Sequence, residues 1–172
     1  MLDYENMPCA SDEPYPPVSV AGKNNCYGRL MLDNYGGAHS EMSTISLYLY
    51  NHFQTEQKYR DIAFLFRKIS IVEMHHLRIF GSLATLLGEQ PRLWTHRTSR
   101  MSYWTPEYNL YAIELDRIVH NSLAGEKTAI QKYEQQIAGI DDILIVTNLE
   151  RIVMDEKIHV KILEKIIAEY HL

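Results

Sequence analysis

Cysteine is nearly absent from the chain. Its 172 residues include two, Cys9 and Cys26, and no Cys-x-x-Cys pair. Neither a zinc ribbon nor a rubredoxin-type iron site is encoded, and two reduced thiols are expected. Basic runs are also missing, and the net charge is -5. Nothing here grips a phosphate backbone, so nucleic acid is not an expected partner. No uninterrupted apolar run reaches about 18 residues, so no membrane span is expected. The N-terminus shows neither a basic stretch nor an apolar signal core, and a cytoplasmic protein is expected. Proline and glycine are scarce beyond the first 40 residues, which favours long helices over many short strands.

What is present is a chain 46% hydrophobic, with 12 tyrosines, enough for one domain with a sizeable core. Residues 1–22 carry Pro8, Pro14, Pro16 and Pro17 and read as an irregular arm lying on the rest of the chain or on a neighbouring subunit. Residues 23–172 read as an all-α domain. A first helix is expected over about 25–54, with Gly36-Gly37 as its weak point. A second runs over about 59–87, stopped by Gly88 and Pro91. Residues 89–106 form a long connection whose Trp94, Tyr103 and Trp104, with Tyr108 and Tyr111 beyond it, are expected to cap the bundle or face another subunit. Pro106 is expected near the start of a third helix that runs to Ala138 and breaks at Gly139. Asp141 is the expected N-cap of a fourth helix ending near Tyr170. The order predicts a four-helix bundle with a long crossover between helices two and three.

The apolar stripes carry the chemistry. On the second helix the core-facing stripe reads Ile62, Leu65, Ile69, Glu73, His76, Phe80, Leu83, Leu87. On the fourth it reads Ile145, Leu149, Ile152, Glu156, His159, Leu163, Ile166, Tyr170. Each places a Glu and a His mid-stripe, three residues apart and so on one face. The first helix reads Gly37, Glu41, Ile45, Tyr48, His52, and the third Leu115, Val119, Ser122, Glu126, Ile130, Tyr133, Ile137. Each of these carries one Glu, with a Tyr seven residues later. Lys68 and Arg151 both stand five residues before the Glu of their helix. The halves therefore repeat, with an approximate two-fold expected between them.

A single Glu-x-x-His means little. Chance alone gives roughly 0.65 such pairs in a chain of this composition. Here there are two, both in core stripes and on alternate helices. Four carboxylates in an apolar core cost several kcal/mol each, as an order of magnitude (~), unless compensated. Lys68 and Arg151 are too few to compensate them, whereas two divalent cations balance four glutamates. Glutamate and neutral histidine suit iron, manganese or zinc. The competing reading, surface ion pairs on a misplaced stripe, would expose Ile69 and Phe80 along with Glu73. His75 points about 100° away from His76 and is expected in packing or at the surface, as is His52. Tyr48 and Tyr133 are either partners of the core carboxylates or core tyrosines that find any buried acceptor.

At these residues the chain resembles the ferritin-like dinuclear carboxylate superfamily, most closely its rubrerythrin-like and manganese-catalase-like branches. The resemblance covers residues 25–170. It rests on Ser40-Glu41 leading to Tyr48, on EMHH at 73–76, on GEKTAIQKY at 125–133 and on DEKIH at 155–159. It implies a ferritin-like bundle holding two metal ions, iron or manganese, on Glu41, Glu73, His76, Glu126, Glu156 and His159. Glu73 and Glu156 would bridge the ions, Glu41 and Glu156 would be the catalytic carboxylates, and Tyr48, Tyr133 and Asp155 would support them. Asp155 would orient His76. The implied activity is oxidoreduction of hydrogen peroxide, catalase- or peroxidase-like, in a homo-oligomer that draws on a separate electron donor where one is needed. The alternative is a ferroxidase or iron-storage protein. Rubrerythrins proper carry a cysteine-rich rubredoxin-like domain; this sequence has no such cysteine pairs.

Overall fold

A computed structural model describes Tyr4 and residues 6–97 and 100–172. Its helices are α1 (Asn25–Gly36), α2 (Glu41–Thr55), α3 (Arg60–Leu86), α4 (Leu115–Gly139) and α5 (Ile143–Tyr170). A two-stranded hairpin, β1 (Trp94–Arg97) and β2 (Arg100–Tyr103), lies in the crossover between α3 and α4. It is antiparallel, with Trp94 opposite Tyr103. α2 to α5 form a four-helix bundle, and α1 prolongs the first helix beyond a break.

That break corrects the continuous helix expected over 25–54. It falls at the weak point, for two local reasons. Gly36 passes so close to the hairpin that a Cβ there would lie 2.9 Å from Leu93 Cα and from Trp94 N. Ser40 then starts a new helix, its hydroxyl accepting from Ser43 N at 3.4 Å. Asn24 does the same for α1, accepting from Cys26 N at 3.0 Å and Tyr27 N at 3.2 Å. Both α1 and α2 pack against α3. α3 gives way to Gly88, whose φ of 103° suits only glycine without strain.

Two other boundaries differ from expectation. Pro106 opens a single 3-10 turn, Pro106–Tyr108, rather than a long helix. Asn109 leaves the turn in an extended conformation (ψ 138°), and its side chain is fastened to α2 through Ser46 Oγ at 2.6 Å. Leu110, Tyr111 and Ile113 are exposed, so no apolar face favours a helix until Leu115 and Val119 turn inward. At α5 the cap is Asp142, which accepts from Leu144 N at 3.0 Å, one residue after the expected Asp141. Of the aromatic residues expected at the bundle end, Trp94 is buried, Trp104 donates to Ser43 Oγ at 2.9 Å, and Tyr103 and Tyr111 stand exposed.

The stripes face inward as read. Every named member on α3, together with Leu87 just beyond it, is buried, and so is every member on α5 up to Ile166. They form two apolar clusters along the bundle axis. One gathers Met31, Leu32, Phe80, Leu83, Leu149 and Ile152 toward α1 and the hairpin. The other gathers Ile62, Leu65, Phe66, Ile69, Val119 and Leu163 at the opposite end. Each such side chain stabilises the fold by about 1.5–3 kcal/mol before entropy is subtracted. Between the clusters lies a buried polar layer. Among the described residues no helix is long and apolar enough to cross a membrane.

The irregular arm lies on its own bundle, across α3 and α5. Lys68 Nζ donates to Met7 O at 2.7 Å, and Arg151 Nε donates to Glu13 O at 2.6 Å. Ala21 N reaches Asp142 Oδ2 at 2.8 Å. Cys9 is buried and Cys26 exposed, and both are free thiols.

Candidate metal centre

The polar layer holds all six residues that the stripes single out. Glu41, Glu73, His76, Glu126, Glu156 and His159 are all nearly fully buried. Their positions follow from helix geometry: one residue each from α2 and α4, and a pair one turn apart from each of α3 and α5. Glu41, Glu73, His76 and Glu156 each offer a ligand atom, all within 4.8 Å of one another. Glu73, Glu126, Glu156 and His159 form a second such group. Glu73 and Glu156 belong to both.

Each histidine turns Nδ1 toward the carboxylates. His76 Nδ1 lies 2.8 Å from Glu73 Oε2 and 3.3 Å from Glu156 Oε1. His159 Nδ1 lies 3.0 Å from Glu73 Oε1 and 3.1 Å from Glu156 Oε2. The tyrosines cross over between the halves. Tyr133 of α4 donates to Glu41 Oε1 of α2 at 2.5 Å, and Tyr48 of α2 donates to Glu126 of α4. The approximate two-fold expected from the repeat is thus present in the contacts. Asp155 Oδ2 sits 3.1 Å from His76 Nε2.

The four carboxylates and two imidazoles of this layer shift one another's protonation. Burial, reinforced by the charges of Glu73 and Glu156, pushes Glu41 well above the usual carboxylate range. Burial and the charge of Glu156 push Glu126 up to about 7. Glu73 and Glu156 are shifted down: burial opposes their charge, but the two histidines outweigh it. His76 and His159 are shifted well up, because the glutamates overcome the burial that would strip their protons. These shifts all favour protons on Glu41, Glu126, His76 and His159, four positive charges in all. Two divalent cations would replace those four charges and leave four carboxylates and two neutral imidazoles, the forms that bind metal. One atom makes the same point locally. Glu73 Oε1, though 3.0 Å from His159 Nδ1, lacks the alignment of a hydrogen bond and makes none among the described residues. A buried carboxylate oxygen without a partner is rare and costly. The donor set and its charge both fit a pair of divalent cations.

The rubrerythrin family model matches residues 37–167, the span that contains all six residues. The chain belongs to the rubrerythrin family. Solved structures share the fold. A manganese catalase from Anabaena superposes with a TM-score of 0.83 at 22% identity, covering 94% of this chain and 80% of that one. A second structure of that manganese catalase, from Anabaena PCC7120, gives the same values: TM-score 0.83, 22% identity and 94% and 80% coverage. The bacterioferritin of Rhodobacter capsulatus superposes at 0.71 and 24% identity, covering 87% and 88%. No curated protein matches the sequence.

In this rubrerythrin-family chain an opening reaches the polar layer beside Tyr48 and Tyr133. A cavity of about 310 Å³ lies between α2 and α4, lined among others by Ser40, Ser43, Thr44, Tyr48, Gly125 and Glu126. The small side chains keep it open, and Glu126 forms part of its wall. His75 and His52 stay outside the centre. His75 packs against Tyr15 with ring centroids 4.3 Å apart and the rings tilted by 60°, and His52 Nδ1 contacts Ala63 O at 2.9 Å.

Three residues at the centre's outer side carry no site role in the sequence: Tyr15, Ser11 and Cys9. Tyr15 donates to Asp155 and lies 3.3 Å from His76 Nε2. Burial, aided by the Asp155 contact, pushes its phenol up to about 12, so it stays a donor. Ser11 N donates to Asp155 Oδ1 at 2.7 Å. Cys9 O stands 2.8 Å from His159 Nε2. Burial opposes the charge of Asp155, but hydrogen bonds from His76, Tyr15, Ser11 and Arg151 hold its carboxyl well below the usual range.

Proposed function

We propose that the chain is a dinuclear iron or manganese oxidoreductase acting on hydrogen peroxide, with Glu41, Glu73, His76, Glu126, Glu156 and His159 as metal ligands. The observation that carries this reading is the pair of overlapping ligand groups that share Glu73 and Glu156. Two ions so held would supply two-electron redox chemistry, each passing between its +2 and +3 states. The protein's own residues do the rest. Glu73 and Glu156, common to both groups, hold the two positions at one spacing. Glu41 is the proton carrier: it belongs to one ligand group only and is fixed by Tyr133 at 2.5 Å. Tyr48 fixes Glu126 in the same way at the cavity wall. The apolar clusters on either side exclude water from the layer.

Peroxide is small and reaches the layer through the α2–α4 cavity. A Cβ built on Gly125 meets nothing within 4 Å and Gly125 lines that cavity, so Gly125→Phe is expected to fold and to narrow the cavity. The variant is expected to keep its full metal content and lose about 10-fold or more in kcat/KM for peroxide. The function itself is tested by adding hydrogen peroxide to manganese-loaded protein and following oxygen release. Rapid release supports a catalase; none from either metal form, with no reductant oxidised, contradicts peroxide chemistry.

The second reading is a ferroxidase or iron-handling protein on the same six ligands, and the fold shared with bacterioferritin favours keeping it. Storage requires a hollow shell of many subunits, so size-exclusion chromatography separates the two readings. A small cytoplasmic homo-oligomer, with exposed Tyr103 and Tyr111 at its contacts, belongs to the first.

A further inference from the structure

The outer hydrogen bonds of both histidines involve the N-terminal arm. His159 directs Nε2 at Cys9 O, 2.8 Å away. His76 directs Nε2 at Asp155 Oδ2 (3.1 Å) and Tyr15 Oη (3.3 Å), and Tyr15 donates to the same Asp155 oxygen. Two cations hold the arm in place. Lys68 Nζ donates to Met7 O at 2.7 Å, two residues before Cys9. Arg151 donates to Glu13 O at 2.6 Å and Ser11 O at 2.9 Å, and its guanidinium lies 4.0 Å from the centroid of the Tyr15 ring. Lys68 and Arg151 are the repeat partners that precede Glu73 and Glu156 by five residues. The repeat therefore places equivalent groups twice: ligands inward and an arm-binding cation outward.

We propose that residues 7–15 form a clamp that orients both histidines of the centre, through the Cys9 carbonyl for His159 and through Tyr15 with Asp155 for His76, and that Lys68 and Arg151 are positioning residues of that clamp. The inference rests on the dinuclear reading above. It has a chemical consequence. An imidazole N–H donated to a carboxylate makes the ring a stronger donor at its other nitrogen than one donated to an amide carbonyl. The residue equivalent to Asp155 in the first half is Val72, which has no acceptor on its side chain. The two halves are thus alike in their inner residues and unlike in what lies behind the histidines. The Glu41/His76 position holds a cation more tightly than the Glu126/His159 position.

The test is a cobalt(II) titration of the metal-free full-length chain, read by visible absorption. Wild type is expected to take up two ions in two resolved steps. Tyr15→Phe, which keeps the ring, is expected to weaken the tighter step by about 10- to 100-fold. Lys68→Met is expected to weaken the other step and shift its cobalt spectrum, and Lys68→Arg to restore both. Unchanged affinities and spectra in Tyr15→Phe and Lys68→Met overturn the clamp, even where the melting temperature falls, because the arm is then a structural brace only. If Lys68→Met fails to fold, Tyr15→Phe decides alone. Wild type that binds no cobalt overturns the dinuclear reading and the clamp with it; wild type that binds two with intact variants overturns the clamp only.

Discussion

Glu73→Ala is expected to leave the protein folded and without stoichiometric metal, and Glu156→Ala likewise. Each carboxylate belongs to both ligand groups, so its removal takes a ligand from each position at once. A change behind a ligand typically costs 10- to 100-fold in metal affinity; losing a ligand shared by two ions exceeds about 100-fold at each. Glu41→Ala and Glu126→Ala each touch one group only and are expected to retain about one ion per chain. The fold survives because the residues flanking the layer on α3 and α5, Ile69, Phe80, Ile152 and Leu163, still pack. Elemental analysis of the four variants, with helicity checked by circular dichroism, reads the pattern. Two ions retained in both Glu73→Ala and Glu156→Ala would sink the assignment of shared ligands.

Removing the metal is expected to lower the melting temperature by about 10–20 °C. An ion present at about 100 times its dissociation constant stabilises by about 2.7 kcal/mol per site, and a chain of this size melts about 2–4 °C lower per kcal/mol lost. The loss depends on pH, with a sign set by the protons that the metal-free layer holds. Glu126, raised from 4.5 to about 7, contributes stability that is complete below its unfolded value and lost as pH rises through about 7. Glu41, His76 and His159 are raised as well and lose their contributions in the same direction. Glu73 and Glu156 are lowered, so theirs is present above 4.5 and lost only in acid. Between about pH 5 and about pH 8 the metal-free protein therefore weakens, and the gap to the metal-loaded protein widens. Melting curves with and without chelator across that range check this; a gap that narrows with rising pH would contradict it.

The centre was legible in the sequence because helices impose a period. Glu73/His76 and Glu156/His159 stand out only when set in stripes whose other members are Ile, Leu and Phe, and the repeat of Glu-to-Tyr spacing on α2 and α4 supplied the remaining carboxylates. Tyr48 and Tyr133 were visible for the same reason, although not their crossed pairing, which depends on how α2 faces α4. Local boundaries were less legible. Gly36-Gly37 marked a weak point, but the full break depends on the approach of Leu93 and Trp94, nearly 60 residues away along the chain (~). Pro106 has the signature of a helix start, and the contact of Asn109 with Ser46 overrides it. The arm was the least legible part. Its contacts have no period, and the one to His159 is made by a main-chain carbonyl, which any residue at position 9 would provide. Lys68 and Arg151 were recognised as a repeat, but too few charges to neutralise the core gave no clue that they bind the arm.

The central claim is that the polar layer binds two metal ions, and metal content tests it most directly. Protein purified after growth with ample iron and manganese, then freed of loosely held ions, is measured by elemental analysis against chain concentration. The account predicts two ions of iron or manganese per chain. Folded protein carrying no stoichiometric metal from that preparation would contradict it.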